Sequence, residues 1–352
     1  MDKKLVAANI GMKFGMSHVE GAIGYGAEIA AICDSNEENL RFAGERYGIP
    51  EEKRFTDYMD IVNNKDIEVV TVAVPDQMHK QISCDLLRAG KNVLCEKPAA
   101  RILSEALEMQ KVAHETGKVL NIGVCNRYHK SVEKLAELNA KGEFGKIYHV
   151  YCSFRSFRSI PGLGGAFTTK AESGGGVLID WGVHFFDLIL YILGNAKLKT
   201  VTCDAYSEMA KDMKSYRYKS MWAEDTADIE HGTNDVDDFI TGYVRTDKAS
   251  ISFNGAWAQN IDKGETYVDF LGDKKGVRLQ YCSQFSVTDG ETLETINTDH
   301  EIPNMYLCED RDFIKSVETG EKNRNYIDNI LESMKLLDYL YRSAAQGKEV
   351  EC

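Results

Sequence analysis

The pattern of apolar and polar positions divides the chain at about residue 125. Before that point, short and almost wholly apolar runs alternate with amphipathic stretches. The apolar runs are KLVAANIG, AEIAAICD, IEVVTVAVP, KNVLCEKP and VLNIGV. Runs of this length between helices are typical of buried parallel strands. The pattern therefore predicts an N-terminal α/β domain, residues 1–125, with a doubly wound parallel sheet.

After residue 126 the apolar positions follow a period of two. The runs with this period include KIYHVYCSFRSF, FITGYVRT, ASISFNGAWAQ, TYVDFLG and GVRLQYC. Alternation of this kind predicts an open, mainly antiparallel sheet with one covered face, in an α+β domain of residues 126–352. Amphipathic helices are expected from about residue 310 onward. The polar segment 208–234 has no pattern that assigns it to a helix or a strand.

One apolar stretch, GGGVLIDWGVHFFDLILYILG, contains three ionisable side chains, Asp180, His184 and Asp187. Their i, i+4, i+7 spacing predicts one polar stripe on an otherwise buried α-helix. Such a stripe faces either a partner set of polar groups or a cavity. For Asp187 a structural role and a role at the site are equally expected. In the second case it would orient the helix or His184.

Composition excludes several classes of protein. The net charge of −13 over 352 residues argues against nucleic-acid binding, which needs clustered Lys and Arg. Nine cysteines without a C-x-x-C pair predict free thiols in a reducing cytoplasm and no metal site. The N-terminus lacks the pattern of a secretory signal, and we expect no membrane-spanning run and no membrane partner.

The first predicted strand ends in a glycine turn that only partly matches a dinucleotide fingerprint. In Gly11-Met12-Lys13-Phe14-Gly15 the pattern G-x-G-x-x-G is incomplete, and the turn could equally be an ordinary strand-to-helix connection. The second strand ends in Asp34, 23 residues after Gly11 and followed by Ser35. An acid there is expected to bind the adenosine ribose hydroxyls, which favours NAD over NADP. Its alternative role is a helix N-cap, and both roles can coexist.

Further motifs make the pattern specific. Val74-Pro75-Asp76 with His79 is followed by Glu96-Lys97-Pro98, and then by GVCNRYH, GEFGKIYHV, SGGGVLIDWGVHFFD, VDDF and YRSAAQGKEV. In this order the motifs resemble the Gfo/Idh/MocA oxidoreductases over essentially the whole chain. The resemblance implies a Rossmann domain followed by a domain with an open sheet. The incomplete glycine fingerprint is where this sequence departs from the family.

The resemblance also implies roles for individual residues. The expected cofactor-binding residues are Gly11, Met12, Lys13, Phe14, Asp34, Ser35, Val74, Pro75, His79, Glu96 and Lys97. Lys97 is expected to bind the reacting hydroxyl and share in its proton transfer, and its alternative is a surface lysine paired with Glu96. His184 is implied as the general base, since an unperturbed imidazole has a pKa of about 6.5. Asp180 is implied to hold substrate hydroxyls and the charge of Lys97.

Other residues are expected to contact the substrate. Asn126 and Arg127 lie at the join between the domains, although a surface salt bridge is an alternative for Arg127. The loop 158–170 is a possible substrate lid and contributes Thr168 and Lys170. The function implied is NAD-dependent oxidation of a ring hydroxyl in a sugar, glycoside or cyclitol. An NAD-dependent glycosidase and a non-catalytic NAD-binding sensor are the alternatives.

The open sheet of the second domain also has a consequence for assembly. One of its faces needs a cover, which predicts a homodimer or homotetramer built on that sheet.

Overall fold

The computed structural model describes residues 4–281, 283–299 and 302–352. Cys282, the last residue of the predicted strand GVRLQYC, lies outside the described residues. The chain forms two compact units. The first comprises Met1–Tyr128 and Pro303–Leu331, and the second comprises His129–Ile302 and Glu332–Cys352.

The N-terminal part of the first unit alternates strands with helices. Its elements are β1 (Val6–Ile10), α1 (Met12–Gly24), β2 (Glu28–Cys33), α2 (Glu37–Tyr47), β3 (Arg54–Phe55), α3 (Tyr58–Asn63), β4 (Val69–Val72), α4 (Asp76–Arg88), β5 (Asn92–Glu96), α5 (Leu103–Thr116) and β6 (Leu120–Gly123). The strands pair in parallel in the order β3-β2-β1-β4-β5-β6. This order confirms the predicted doubly wound sheet, whose topological switch point lies between β1 and β4.

The remaining chain contains a nine-stranded sheet. Its elements are α6 (Lys130–Ala140), β7 (Ile147–Arg155), α7 (Lys170–Ser173), a π-helical turn (Leu178–Gly182), α8 (Val183–Ile192), β8 (Leu198–Tyr206), β9 (Phe239–Thr246), β10 (Ser250–Ala256), β11 (Glu265–Gly272), β12 (Lys275–Gln280), β13 (Phe285–Asp289), β14 (Thr295–Thr298), α9 (Met305–Thr319), α10 (Leu331–Gln346) and β15 (Val350–Glu351). The strand order is β14-β13-β12-β11-β7-β10-β9-β8-β15. Only β7 and β10 pair in parallel among these described strands, so the mainly antiparallel prediction is confirmed.

The structure corrects the predicted division of the chain. The first boundary falls after Tyr128 rather than after residue 125, and α9 belongs to the first unit rather than the second. The reason is packing: Phe313 of α9 is buried in a cluster with Ala7 of β1, Val69 of β4 and Leu94 of β5. Burying this apolar face on the parallel sheet stabilises both elements.

Helix α8 covers one face of the nine-stranded sheet. Its Phe185 ring stacks on Phe154 of β7 with the ring centroids 4.6 Å apart. Phe186 packs edge-on against Phe253 of β10 at 5.0 Å. The covered face predicted from the period of two is therefore occupied by the helix that contains the ionisable stripe.

The stretch Lys170–Ile192 corrects one expectation about membranes. It has the length and composition of a membrane-crossing helix, with a mean hydropathy of 1.4, although no such run was expected. Most of it, 78%, is buried inside the protein. A core helix of a folded domain has the same properties, so this observation assigns no membrane.

Candidate active site

The glycine turn after β1 lies at the switch point of the parallel sheet. Gly11 has a φ of 88°, and a Cβ there would lie 2.2 Å from the Ala73 carbonyl oxygen. No other residue fits this position without moving the end of β4. Gly11 precedes the first residue of α1, and Gly15 is buried inside that helix against Ala73. The two glycines therefore provide the tight turn and the close helix–strand packing that the incomplete fingerprint left open.

Asp34 lies beside the N-terminus of α1. Its Oδ2 accepts the Met12 main-chain N–H at 2.6 Å, and its Oδ1 accepts the Asn36 N–H at 2.8 Å. The N-cap of α2 is Asn36, whose side chain accepts the N–H groups of Glu38 and Asn39. The alternative of Asp34 as the N-cap is therefore wrong, because Asn36 has that role.

The other expected cofactor residues lie at the same edge of the parallel sheet and differ in their exposure to solvent. Lys13 and Phe14 are exposed in the first turn of α1, and Ser35 is exposed after β2. Val74 is half-buried and Pro75 exposed, directly after β4. All five lie at the carboxyl ends of neighbouring parallel strands, which is where nucleotides bind in sheets of this class.

Lys97 directly follows β5 at the same edge. Its side chain is half-buried, its main-chain N–H donates to Glu96 Oε2 at 2.9 Å, and its peptide bond to Pro98 is cis. Burial raises the pKa of Glu96, but contacts with His18 and the charge of Lys97 outweigh burial and lower it. Glu96 is therefore a carboxylate that holds the main chain of Lys97.

His79 has a different role from the expected cofactor contact. Its buried ring lies 2.8 Å from the Val74 carbonyl oxygen through Nε2 and 2.8 Å from the Pro98 carbonyl oxygen through Nδ1. Burial lowers the pKa of His79, yet Cys95, Asp76 and the Pro98 carbonyl raise it to about 10. Both ring nitrogens donate to main-chain carbonyls, so His79 joins the two loops instead of offering a polar atom to a ligand.

The ionisable stripe of the apolar helix is divided by a change of helix type. Asp180 lies in the π-helical turn and His184 in the first turn of α8, and both are half-buried. Asp187 is buried and its Oδ1 accepts the Ser333 hydroxyl at 2.8 Å. Asp180 therefore lies in a π turn, which has more residues than an α turn, and not in the single α-helix that the spacing predicted. Asp187 anchors α10, while Asp180 and His184 remain partly accessible.

A carboxylate outside the expected set fixes the entry to this helix. Asp237 accepts the N–H groups of Gly176 and Leu178 at 2.9 Å each, and the hydroxyl of Tyr341 at 2.8 Å. A Cβ on Gly176 would lie 1.9 Å from the Asp237 carbonyl oxygen, and one on Gly175 would lie 2.0 Å from the Tyr341 hydroxyl. The glycines before the helix are thus required for close approach, and Asp237 sets where the π turn begins.

Replacing Asp237 with alanine is expected to destabilise the protein by about 3 kcal/mol, because the Leu178 N–H and the Tyr341 hydroxyl lose their acceptor and the Gly176 N–H keeps only the Tyr341 oxygen. Denaturant unfolding of the two proteins measures this difference. Asp235→Ala is the matched control, since Asp235 is exposed and accepts one N–H, from Lys170. Equal effects of the two substitutions would contradict the role given to Asp237.

Trp257, at the end of β10, contacts the π turn directly. Its indole N–H donates to Asp180 Oδ2 at 3.3 Å, and its ring is buried. The sequence offered VDDF as a motif without a role, and it offered Trp257 only as part of an alternating run. The partners of these residues are distant in sequence, so no local pattern could identify them.

Arg127 is buried, which differs from the surface position that its alternative role required. Its buried guanidinium donates to the carbonyl oxygens of Arg324 at 2.6 Å and Asn329 at 3.0 Å. It therefore anchors the C-terminal segment of the first unit from a buried position rather than from the surface. Asn126 is buried beside it in the same 3₁₀ turn, Cys125–Tyr128.

The loop 158–170 also changes one assignment. Thr168 is fully buried, where its hydroxyl donates to the Thr233 carbonyl oxygen at 2.7 Å and accepts the Gly164 N–H at 2.9 Å. These contacts make Thr168 a structural residue, which corrects its expected substrate contact. Lys170 is exposed at the start of α7.

Comparison with known proteins decides the family. The profile of the oxidoreductase family with an NAD-binding Rossmann fold, Gfo/Idh/MocA, matches residues 7–124. The profile of the Gfo/Idh/MocA C-terminal domain matches residues 132–278. The chain belongs to the Gfo/Idh/MocA oxidoreductase family. This Gfo/Idh/MocA protein is therefore an enzyme of the NAD-binding oxidoreductase class, as the motif order indicated.

Relatives of this Gfo/Idh/MocA protein include named dehydrogenases. D-glucoside 3-dehydrogenase of Escherichia coli is 28% identical over 92% of this chain and 90% of its own length. Inositol 2-dehydrogenase of Salmonella typhimurium is 31% identical over 39% of this chain and 40% of its own. Among solved structures, levoglucosan dehydrogenase with NADH and levoglucosan has a TM-score of 0.83 at 18% identity, with 99% of both chains covered. At that identity the structural likeness shows the shared fold.

Proposed function

We propose that this protein is an NAD-dependent dehydrogenase that oxidises a secondary ring hydroxyl of a sugar, glycoside or cyclitol. The observation that carries the proposal is the position of Lys97, an amine at the cofactor edge whose main chain is held by an ionised Glu96. Oxidation of an alcohol requires a cation that favours alkoxide character and a base for the hydroxyl proton. The named relatives are dehydrogenases of glucosides and inositol, which supports this substrate class.

The cofactor edge fits NAD. Gly11 brings the main chain close to β4, α1 offers the N–H groups of a 13-residue helix to a pyrophosphate, and Asp34 ends β2. By this proposal Gly11, Met12, Lys13 and Phe14 lie along the pyrophosphate, Asp34 and Ser35 hold the ribose, and Val74 and Pro75 flank the nicotinamide side. When bound, NAD supplies the acceptor for the hydride.

Each polar residue of the proposed site then has one task. The Lys97 ammonium donates to the reacting hydroxyl and stabilises negative charge on its oxygen. The His184 ring accepts the hydroxyl proton, and Asp180 holds a neighbouring hydroxyl while its other contact, with Trp257, fixes its rotamer. Asn126 and Lys170 complete the proposed substrate contacts.

Replacing Asp34 with alanine is expected to weaken NAD binding by about 10–100-fold, the effect of losing hydrogen bonds to a charged group. NADP binding is expected to change little or improve, because removing a carboxylate removes repulsion of the 2′-phosphate. Fluorescence titration with both cofactors measures the two dissociation constants. An unchanged preference for NAD would contradict the role of Asp34 at the ribose.

The C3 hydroxyl of a D-glucoside is the first reacting group to test, because a relative that aligns over 92% of this chain and 90% of its own length is named D-glucoside 3-dehydrogenase. NADH formation with NAD is measured for glucosides, free sugars, anhydrosugars and inositols. We expect turnover with at least one of these classes and a keto product. Release of a free sugar from a glycoside without net NADH would instead indicate a glycosidase, and binding without conversion would indicate a sensor.

We propose a homodimer or homotetramer built on the uncovered face of the nine-stranded sheet. Tyr151 of β7 and Tyr206 of β8 have 47% and 45% of their surface exposed. Exposed aromatic side chains on a sheet are common at protein interfaces. Sedimentation equilibrium tests the assembly, and Tyr151→Lys is expected to shift it toward monomer, whereas a monomeric wild type would contradict it.

We also propose that the protein works in the reducing cytoplasm. None of the eight cysteines that the structure describes forms a disulfide, and six of them are buried. Buried thiols of this kind are typical of proteins in reducing compartments.

A further inference from the structure

A buried cluster of ionisable side chains from α1, β5 and α9 adjoins the main chain of Lys97. His18 of α1 is fully buried, with its Nε2 3.1 Å from Glu96 Oε1 and its Nδ1 3.1 Å from Asp310 Oδ1. The second oxygen of Glu96 accepts the main-chain N–H of Lys97 at 2.9 Å. An unbroken chain of contacts therefore runs from α9 through α1 to the backbone of Lys97.

The protonation of His18 and Glu96 follows from the hydrogen bonds that they form. A carboxylate oxygen only accepts, so each contact between the His18 ring and a carboxylate needs a proton. Burial lowers the pKa of His18, but the charges and hydrogen bonds of Asp310 and Glu96 outweigh it and raise the pKa well above its usual value. The His18 Nε2–H therefore donates to Glu96, which stays ionised.

The groups around His18 belong to three elements. From α9, Asp310 and Glu309 face the ring, and Tyr306 packs edge-on against it with the centroids 5.3 Å apart. From β5 comes Glu96, and the Cys125 thiol contacts Tyr306. Burial raises the pKa of Glu309, Asp310 and Tyr306.

A glycine in α1 leaves room for the Asp310 carboxyl group of this cluster. A Cβ on Gly21 would lie 1.8 Å from Asp310 Oδ2, so any larger residue there would displace the carboxylate. That oxygen has no hydrogen-bond partner among the described residues. An unpaired buried oxygen costs free energy, and the contact with His18 offsets that cost.

We propose that His18, held between Glu96 and Asp310, is a positioning residue that fixes Glu96 against the main chain of Lys97 and so orients the Lys97 amine. This inference rests on the proposed dehydrogenase function for its effect on rate, and on geometry alone for its effect on Lys97. Because His18 lies one turn after the first residues of α1, it also couples the cofactor helix to the Lys97 loop.

Three variants and one control separate positioning from simple stability. His18→Leu removes both donors. Asp310→Asn keeps the series of hydrogen bonds. The new carboxamide donates to Nδ1 of a neutral His18 ring, and the Nε2–H of that ring still donates to Glu96. The double variant His18→Leu with Asp310→Ala removes the unpaired carboxylate but leaves Glu96 without its donor. His114→Gln is the control, since His114 pairs with Asp328 on the surface of the same unit.

We expect His18→Leu to lower kcat by about 100-fold, the effect of misplacing a catalytic group, with KM and NAD affinity little changed. Hydrogen exchange of the peptide spanning residues 92–101 is expected to lose protection in this variant. Asp310→Asn is expected to stay within about threefold of wild type in kcat. The double variant is expected to have a higher melting temperature than His18→Leu, but the same low kcat and the same loss of protection. His114→Gln is expected to match the wild type in all three measurements.

Unchanged protection and kcat in His18→Leu would overturn the inference, and so would a double variant in which kcat recovers together with melting temperature. If the wild type oxidised no sugar but His18→Leu still lost protection at residues 92–101, the proposed function would fail and the positioning role would stand. If the wild type oxidised a sugar and His18→Leu changed neither kcat nor the protection of residues 92–101, only the positioning role would fail.

Discussion

Replacing Lys97 with methionine is expected to lower kcat by about 10³–10⁴-fold, at the upper end of what a positioned proton-transfer group contributes. Methionine keeps the length and the apolar stem of lysine but removes the ammonium that favours alkoxide character. Glu96 still accepts the main-chain N–H at this position, so the loop is expected to keep its conformation. Steady-state kinetics with the sugar that gives turnover, together with an NAD titration, measures the effect.

Lys111→Met is the matched control for this substitution. Lys111 is an exposed lysine on α5 that pairs with Glu115 one turn away. Its replacement is expected to leave kcat and NAD affinity unchanged. A kcat for Lys97→Met within twofold of the control would remove Lys97 from the proposed chemistry, whereas a loss confined to NAD affinity would make it a cofactor contact only.

Replacing His184 with glutamine is expected to lower kcat by about 10²–10⁴-fold and to change the pH profile. A histidine base works only in its neutral form, so the wild-type rate is expected to fall as pH drops below the pKa of that histidine. Glutamine cannot accept the proton, and the variant is expected to lose this acidic limb. Rates measured between pH 5 and 9 record both the size and the shape of the change.

His231→Gln is the control for this second substitution. His231 lies on the surface of the same unit, with 87% of its side chain exposed. It is expected to retain the wild-type rate and the wild-type acidic limb. A His184→Gln variant that kept that limb would show that another group accepts the proton.

The fold could be predicted from the chain because its strands have two different periods. Continuous apolar runs in the first 125 residues and alternation after residue 126 each predict a distinct sheet, and both sheets are observed. The position of α9 could not be predicted, because an amphipathic helix has the same pattern whichever sheet it covers. Phe313 identifies its partner only through contacts about 220–305 residues away in sequence.

The part of the candidate site that could be predicted consists of residues that directly follow parallel strands. Gly11, Asp34 and Lys97 each follow a strand, and the structure places all three at one edge of the parallel sheet. The π turn was not predictable, because a single extra residue in a helical turn leaves no periodic signal. Asp187 was assigned to the same stripe as Asp180 and His184 because its spacing fits a helical face, and its partner Ser333 lies 146 residues away in sequence.

Buried polar residues were the hardest to assign. Asp237, Arg127 and Thr168 satisfy main-chain groups far away in sequence, and sequence alone cannot distinguish such a residue from a ligand contact. His18 is the clearest case, since its two carboxylate partners lie 78 and 292 residues away.

In the proposed reaction, hydride leaves a ring carbon of the substrate for NAD. The most direct measurement uses a glucoside deuterated at C3, NAD and the purified enzyme, with mass analysis of the nicotinamide product. We expect deuterium in released NADH, in proportion to the ketone formed, and none in the Lys97→Met variant on the same time scale. Full consumption of the glucoside with no deuterium in any nicotinamide species would contradict it.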